Sequence, residues 1–141
     1  MVNDHVDVAL AAGADGLHLG RGDLPPAEAR RILPISMLIG YSAHSTAEAV
    51  RAQASGVDYV AVGSIYPTTS KEKFKLVGPE TLLQARLKVL VPLVAIGGIN
   101  SSNVQEVMET GVDSVAVIRA ILGAVDVEKA ARKLVTRMKR I

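Results

Sequence analysis

Two adjacent glycines, Gly97-Gly98, stand directly after the apolar run Val94-Ala95-Ile96. Glycines placed there can bare backbone N–H groups to a phosphate, with a helix start close behind; the competing reading is a tight turn and nothing more. Asp4 and Asp23 are two carboxylates that, with water and a diphosphate, suit Mg²⁺. Their other reading is local: Asp4 as the N-cap of a helix running through Leu10, Asp23 as a loop residue ahead of Pro25. Lys71 follows three hydroxyl residues, Thr68, Thr69 and Ser70. A lysine in that setting can neutralise a departing diphosphate while the hydroxyls donate hydrogen bonds to it; a solvated loop is the alternative. His44, two residues after Ser42, is either a proton carrier or a packed polar residue at a strand end. His18 lies inside an apolar run and reads as structural, and His5 reads as exposed.

These residues need elements to position them. One phrase recurs three times: Gly13-Ala14-Asp15-Gly16, Gly56-Val57-Asp58-Tyr59 and Gly111-Val112-Asp113-Ser114, each entering an apolar run. The glycine suits the left-handed stop of a helix, and the aspartate caps the short loop before a strand. Repetition of this kind points to repeated βα units. Five strands are predicted near 17–19, 37–41, 59–65, 93–97 and 114–118, nearly continuous in hydrophobicity as strands covered on both faces should be. Helices fill the intervals. Pro25-Pro26 open one through about Leu33, Ser45-Thr46-Ala47-Glu48 is a capping box, Gly78-Pro79-Glu80 starts a third, Ser102-Asn103-Val104-Gln105 is a second capping box, and Asp126 starts the terminal helix. Alternation throughout means a parallel sheet with right-handed crossovers, and no linker divides residues 1–141, so a single domain is expected.

In such folds the C-terminal ends of the strands carry the chemistry. Gly20-Arg21-Gly22-Asp23, Ser42-Ala43-His44, Ser64 to Lys71, Gly97-Gly98-Ile99-Asn100 and Ile118-Arg119 all fall there, and Met1-Val2-Asn3-Asp4 is a sixth such edge if a strand precedes it. The polar groups gather at the same end of every unit.

Composition excludes several classes. With 141 residues and 49% apolar content the chain can bury a core and is not disordered. No apolar run approaches the roughly 20 residues of a membrane span. Zero cysteines exclude a disulfide scaffold, a thiolate metal site and a cysteine nucleophile. A cytoplasmic location is expected. The formal charge of +2 is local in origin: residues 128–141 hold six bases and one acid, on a segment with Val127, Ala130, Ala131, Leu134, Val135 and Met138 at helical spacing. That is a solvated helix face, not the spread, aromatic-interleaved basic groove of a nucleic-acid binder.

The ordered series Val2-Asn3-Asp4, His18-Leu19-Gly20 with Asp23, Gly40-Tyr41-Ser42-Ala43-His44, Gly63-Ser64-Ile65-Tyr66-Pro67-Thr68-Thr69-Ser70-Lys71 and Ala95-Ile96-Gly97-Gly98-Ile99 resembles thiamine-phosphate synthase (thiamine phosphate pyrophosphorylase) of the TenI superfamily. The resemblance covers essentially the whole chain and only the C-terminal portion of the family. It implies an α/β, (β/α)8 TIM-barrel fold, here a truncated barrel of about five parallel units lacking the first strands. It also implies an activity: coupling hydroxymethylpyrimidine diphosphate with thiazole phosphate to give thiamine phosphate and diphosphate. Matched residue by residue, Asp4 and Asp23 would bind Mg²⁺. Asn3, Ser42 and Lys71 would contact the pyrimidine diphosphate, with Ser42 and Lys71 as the catalytic groups. Thr68, Thr69, Ser70, Gly98, Ile118 and Arg119 would hold the thiazole phosphate.

The chain also departs from the family pattern. A (β/α)8 barrel has eight strands and typically about 250 residues. The family's Gln-x-Arg-x-Lys strand is missing from its expected place. Gln84-Ala85-Arg86-Leu87-Lys88 matches it only by coincidence, since on a helix positions i, i+2 and i+4 do not share a face. Arg119 stands where the resemblance leads one to expect a small serine. A five-strand sheet also leaves open edges, so a homo-oligomer or a partner chain covering them is expected. Two alternatives accompany the synthase expectation: a thiazole tautomerase, which shares the Ser-x-His motif, and a non-catalytic phosphate-binding remnant or subunit.

Overall fold

The computed structural model describes residues 1–69 and 75–138. Six parallel strands run in chain order across one sheet: β1 (Val2–Asn3), β2 (Gly16–Leu19), β3 (Leu38–Ala43), β4 (Tyr59–Val62), β5 (Leu93–Ile96) and β6 (Ser114–Ala116). Between and after them lie α1 (Val6–Ala11), α2 (Pro26–Ile32), α3 (Thr46–Ala54), α4 (Pro79–Arg86), α5 (Val104–Glu109), α6 (Arg119–Leu122) and α7 (Val127–Met138). Strictly sequential order has a consequence. Right-handed crossovers that always step the same way lay every connecting helix on one face, giving half of a singly wound barrel rather than a doubly wound sheet. Among the described residues β1 and β6 are the open edges.

The count of five strands is corrected to six. β1 is only two residues long, too short to register as an apolar run, and is held by its pairing Val2↔Leu17 and Asn3↔His18. The β4–β5 pairing also outlasts its strands. Ile65 N–H donates to Ile96 O at 3.0 Å and Tyr66 N–H to Gly97 O at 3.1 Å, which carries the loop after β4 over the Gly97-Gly98 turn.

Alternation sorts the strand residues by face. Leu17, Leu19, Ile39, Val60, Val62, Leu93 and Ala95 are buried at 2% exposure or less, packed with Ala9, Ala29, Ala49, Leu82, Ala85, Val104 and Val107 of the helices. Small helix residues let the helices sit close on the sheet. Burial of each large side chain contributes about 1.5–3 kcal/mol. The other set, which includes His18, Gly40, Ser42, Tyr59, Val94, Ile96 and Ala116, lines the concave face.

Local signals mostly act as read. Gly13, Gly56 and Gly111 all have positive φ (57°, 80° and 88°). Pro26 and Pro79 sit in the first turns of α2 and α4, where a missing N–H costs nothing. Ser45 Oγ accepts from Glu48 N–H at 3.2 Å, while the Glu48 carboxylate takes the His44 N–H at 2.7 Å. Asp126 Oδ1 accepts from Lys129 N–H at 2.8 Å and starts α7, which packs on α5 and α6 through buried Leu134. Two readings are corrected. The N-cap of α5 is Asn103, whose carboxamide takes the Asn100 N–H at 2.8 Å, and Ser102 turns both its N–H and its hydroxyl to Asn100 Oδ1. The N-cap of α1 is His5, not Asp4.

Two of the three aspartates of the recurring phrase, Asp58 and Asp113, reach beyond their own loops. Asp58 Oδ2 accepts from Ile39 N–H at 2.7 Å and from Arg30 at 2.5 Å; Asp113 Oδ2 accepts from Leu93 N–H at 2.7 Å and from Arg86 at 2.8 Å. Each thus ties the start of the preceding strand to the helix before it. Arg86 belongs to this N-terminal rim, remote from the strands' C-terminal ends, which settles the Gln84–Lys88 match as coincidence. No helix among the described residues is long and apolar enough to cross a membrane.

Candidate functional site at the C-terminal rim

The first carboxylate of the rim sits on a distorted backbone. Asp4 follows β1 with φ 67°, its N–H donating to His18 O at 2.9 Å, and His5 N–H closes on Asn3 O at 2.7 Å. An i→i+2 bond around a positive-φ centre is a strained γ-turn, tolerated by aspartate better than by most residues. Strain of this kind collects at functional sites. The turn exposes the Asp4 side chain at the end of β1. On the adjacent strand, Gly20 N–H donates to Asp23 Oδ2 at 2.6 Å, which pins the half-buried Asp23 to the end of β2. Asp4 and Asp23 are carboxylates on neighbouring loops, the donor type from which Mg²⁺ takes one or two ligands before completing its shell with water and substrate phosphate. Among the described residues no group of three or more histidine, cysteine, aspartate or glutamate side chains is placed to hold a metal ion.

Across the rim, the ends of β3 to β6 enclose a cavity of about 790 Å³, within the usual range for a small-molecule site. Ser42, Thr68, Thr69, Gly98, Ile118 and Arg119, all singled out from the sequence, line it together. Asn3, Asp4 and Asp23 do not line it; they hold the β1–β2 side of the same rim. Ser70 and Lys71 lie outside the described residues.

The glycine pair makes the tight turn that one of its readings asked for. Gly97 has φ 92° and Gly98 φ 67°, and a Cβ would meet Ser64 Oγ at 2.1 Å and Pro67 O at 2.5 Å, so only glycine fits beneath the β4 loop. The same contact orients the backbone. Tyr66 N–H binds Gly97 O on the β4 side, and a planar trans peptide turns the Gly98 N–H to the opposite side, toward β6. Asn103 Nδ2 holds Gly98 O at 3.2 Å, fixing the next peptide as well.

His44 lines the cavity, and its Nδ1 donates to Gly63 O at 2.5 Å. In the neutral ring that leaves Nε2 as the acceptor. Ser42 Oγ lies 2.8 Å from His18 Nε2, and His18 Nδ1 lies 2.7 Å from the Tyr59 hydroxyl. Sequence reasoning placed Asn100 at this rim without assigning it a ligand and gave Lys75 no role, yet both line the cavity. Asn100 stands two residues after Gly98. The signal for Lys75 was its position at the far end of the polar loop, where its carbonyl accepts from Ser64 N–H at 3.1 Å. With Lys75 and Arg119 in the lining and no acidic residue among its described members, the cavity suits an anion.

Comparison with known proteins places this geometry. The family model described as thiamine monophosphate synthase matches residues 1–121. Curated relatives include thiamine-phosphate synthases of Methanoculleus marisnigri, 52% identical over 98% of this chain and 66% of its own length, and of Clostridium tetani, 46% identical over 95% and 64%. The chain thus spans about two thirds of the length of these relatives. Among solved structures, the thiamine phosphate pyrophosphorylase of Pyrococcus furiosus superposes with a TM-score of 0.88 at 45% identity, covering 97% of this chain and 65% of that one. A 3-hexulose-6-phosphate synthase matches at TM-score 0.71 and 23% identity, covering 95% of this chain and 67% of that one, which speaks for the fold alone. By motif order, fold and sequence identity together, the chain belongs to the thiamine monophosphate synthase family.

Proposed function

We propose that this rim works in thiamine-phosphate synthesis, joining hydroxymethylpyrimidine diphosphate to thiazole phosphate. The observation that carries the reading is the cavity itself. Residues from four strand ends, chosen from the sequence for a phosphorylated ligand, converge on one anion-suited space. In this reading Thr68, Thr69, Arg119 and the Gly98 N–H take the thiazole phosphate, Ser70 shares that role by its match to the family motif, and Ile118 is an apolar wall. Asn3, Ser42 and Lys71 meet the pyrimidine diphosphate.

The reaction asks for no protein nucleophile. The methylene–oxygen bond breaks, its electron pair leaves with diphosphate, and the thiazole nitrogen lone pair forms the new carbon–nitrogen bond. The protein holds both partners in line, which removes entropy from the encounter, and offers cationic and hydroxyl donors to the departing charge. Asp4 and Asp23 would hold Mg²⁺, whose chemistry here is neutralisation of the diphosphate. The open β1 and β6 edges favour a homo-oligomer or a partner chain beside them.

The test is product formation from both substrates with Mg²⁺. Asp4→Ala should lower the rate at least about 100-fold while thiazole phosphate still binds. A chain that binds thiazole phosphate and yields no product at any Mg²⁺ concentration is a binding remnant instead. The His44 geometry favours a second reading, a thiazole tautomerase with Nε2 as the base. That activity would need the thiazole alone and would depend on His44 rather than Asp4.

A further inference from the structure

The concave face holds a hydrogen-bonded chain whose inner members, Tyr59 and His18, are not among the described residues lining the cavity. His18, Gly40 and Tyr59 occupy one register row on β2, β3 and β4. Gly40 presents no side chain, and a Cβ there would meet the Tyr59 ring at 2.1 Å. The tyrosine therefore lies across β3 and brings its hydroxyl 2.7 Å from His18 Nδ1, with the two rings 5.5 Å apart. The other imidazole nitrogen, Nε2, is 2.8 Å from Ser42 Oγ, which lines the cavity. Tyr59, His18 and Ser42 come from three strands and form one continuous line ending at the site.

A neutral imidazole has one donor and one acceptor, so the two bonds must run in the same direction along the line. A phenol is a better donor than acceptor. Burial pushes the Tyr59 hydroxyl above the ordinary tyrosine range, which keeps it protonated. Tyr59 O–H then donates to Nδ1, and Nε2–H donates to Ser42 Oγ. With its oxygen accepting from His18, the serine is left to turn its own proton to the ligand. We propose that Tyr59 and His18 are positioning residues that orient the Ser42 hydroxyl toward the substrate. Gly40 is part of the device because it admits the ring. The proposal rests on the reading that Ser42 touches the pyrimidine substrate.

Two measurements on the full chain separate this proposal from that reading. The first needs no activity: ¹⁵N NMR of the histidines, with the His18 signals identified by their loss in His18→Gln, or by elimination with His5→Gln and His44→Gln if His18→Gln does not fold. The expected result is a protonated Nε2 and a bare Nδ1, with the Nδ1 signal moving to its non-hydrogen-bonded position in Tyr59→Phe, which keeps the ring over Gly40. A protonated Nδ1 in the neutral ring overturns the relay. The second is kinetic. Tyr59→Phe should lower kcat about tenfold with KM for thiazole phosphate unchanged, and the same substitution should add nothing to Ser42→Ala, because the two act through one group. Additive losses overturn the proposal. If the wild-type chain makes no product, it is the synthase reading that fails, and the protonation pattern of His18 alone decides the relay.

Discussion

The two rims of the sheet are made from the same repeated units and handle charge in opposite ways. At the N-terminal rim, Asp58 and Asp113 are each shared between a strand N–H and an arginine of the helix before that strand. These two acids are neutralised inside the chain. At the C-terminal rim, the acids Asp4 and Asp23 stand on the β1–β2 side, while among the described residues the cavity of β3–β6 is lined by Lys75 and Arg119 and by no carboxylate. Charge that the chain neutralises itself holds strands in place. Charge left for an incoming group to neutralise selects that group. Parallel βα repetition makes the division possible, because each unit contributes one loop to each rim and the two can diverge independently.

The largest effect on anion binding should come from removing the cations of the open rim. Hydrogen bonds to charged groups are worth about 1.5–3 kcal/mol, so Arg119→Ala should weaken thiazole phosphate binding by about 10–100-fold, measured by calorimetry. Lys75→Ala should act in the same direction with smaller effect, since its flexible ammonium lacks the two-pronged geometry of a guanidinium. Stability should stay within about 0.5 kcal/mol of the parent in denaturant melts, because both side chains are exposed. Tighter binding in Arg119→Ala would mean that the arginine crowds the space a smaller residue leaves open.

The opposite pattern belongs to the other rim. Asp113→Ala strips the partner from the N–H of buried Leu93 and from Arg86, at a cost of about 1–3 kcal/mol. Asp113→Asn should recover part of that, because an amide oxygen still accepts from the strand. Anion affinity of the folded fraction should not change in either variant. A loss of affinity in Asp113→Ala would show that the rims are coupled and that the separation drawn above is false.

The sequence made most of this legible wherever the signal was local. Glycines with positive φ, prolines in first turns and the Ser45 cap depend on a few neighbouring residues, and each appears in its place. The convergence of Ser42, Thr68, Thr69, Gly98 and Arg119 followed from one rule about parallel units. What escaped was set by tertiary pairing. β1 is a strand only because β2 lies beside it. Asp4 looked like a cap because sequence does not show that its N–H is drawn to His18 O, which bends the chain into a turn and leaves the cap position to His5. Likewise Tyr59 lies 41 residues from His18, and only the register row reveals that Gly40 leaves room between them. Lys75 follows a stretch whose polarity spoke equally for solvent.

The smallest expected effect lies where the open rim is braced. The Tyr66 hydroxyl donates to Glu106 Oε2 at 2.7 Å, linking the β4 loop to α5 above the Gly97-Gly98 turn. Burial, then that hydrogen bond and the glutamate's charge, push Tyr66 up to about 12 from the ordinary 10.0. Because the folded value lies above the free one, the brace contributes fully below pH 10 and is lost as pH rises through about 12. Absorbance titration of the tyrosines should therefore show this ionisation delayed, and Glu106→Gln should bring it down while leaving the part due to burial. Thiazole phosphate binding at neutral pH should hardly move in Glu106→Gln, since Tyr66 stays protonated there and the loop keeps its Gly97 and Ile96 hydrogen bonds. A marked loss of binding would instead make the brace part of the anion site, and the open rim would then extend to α5.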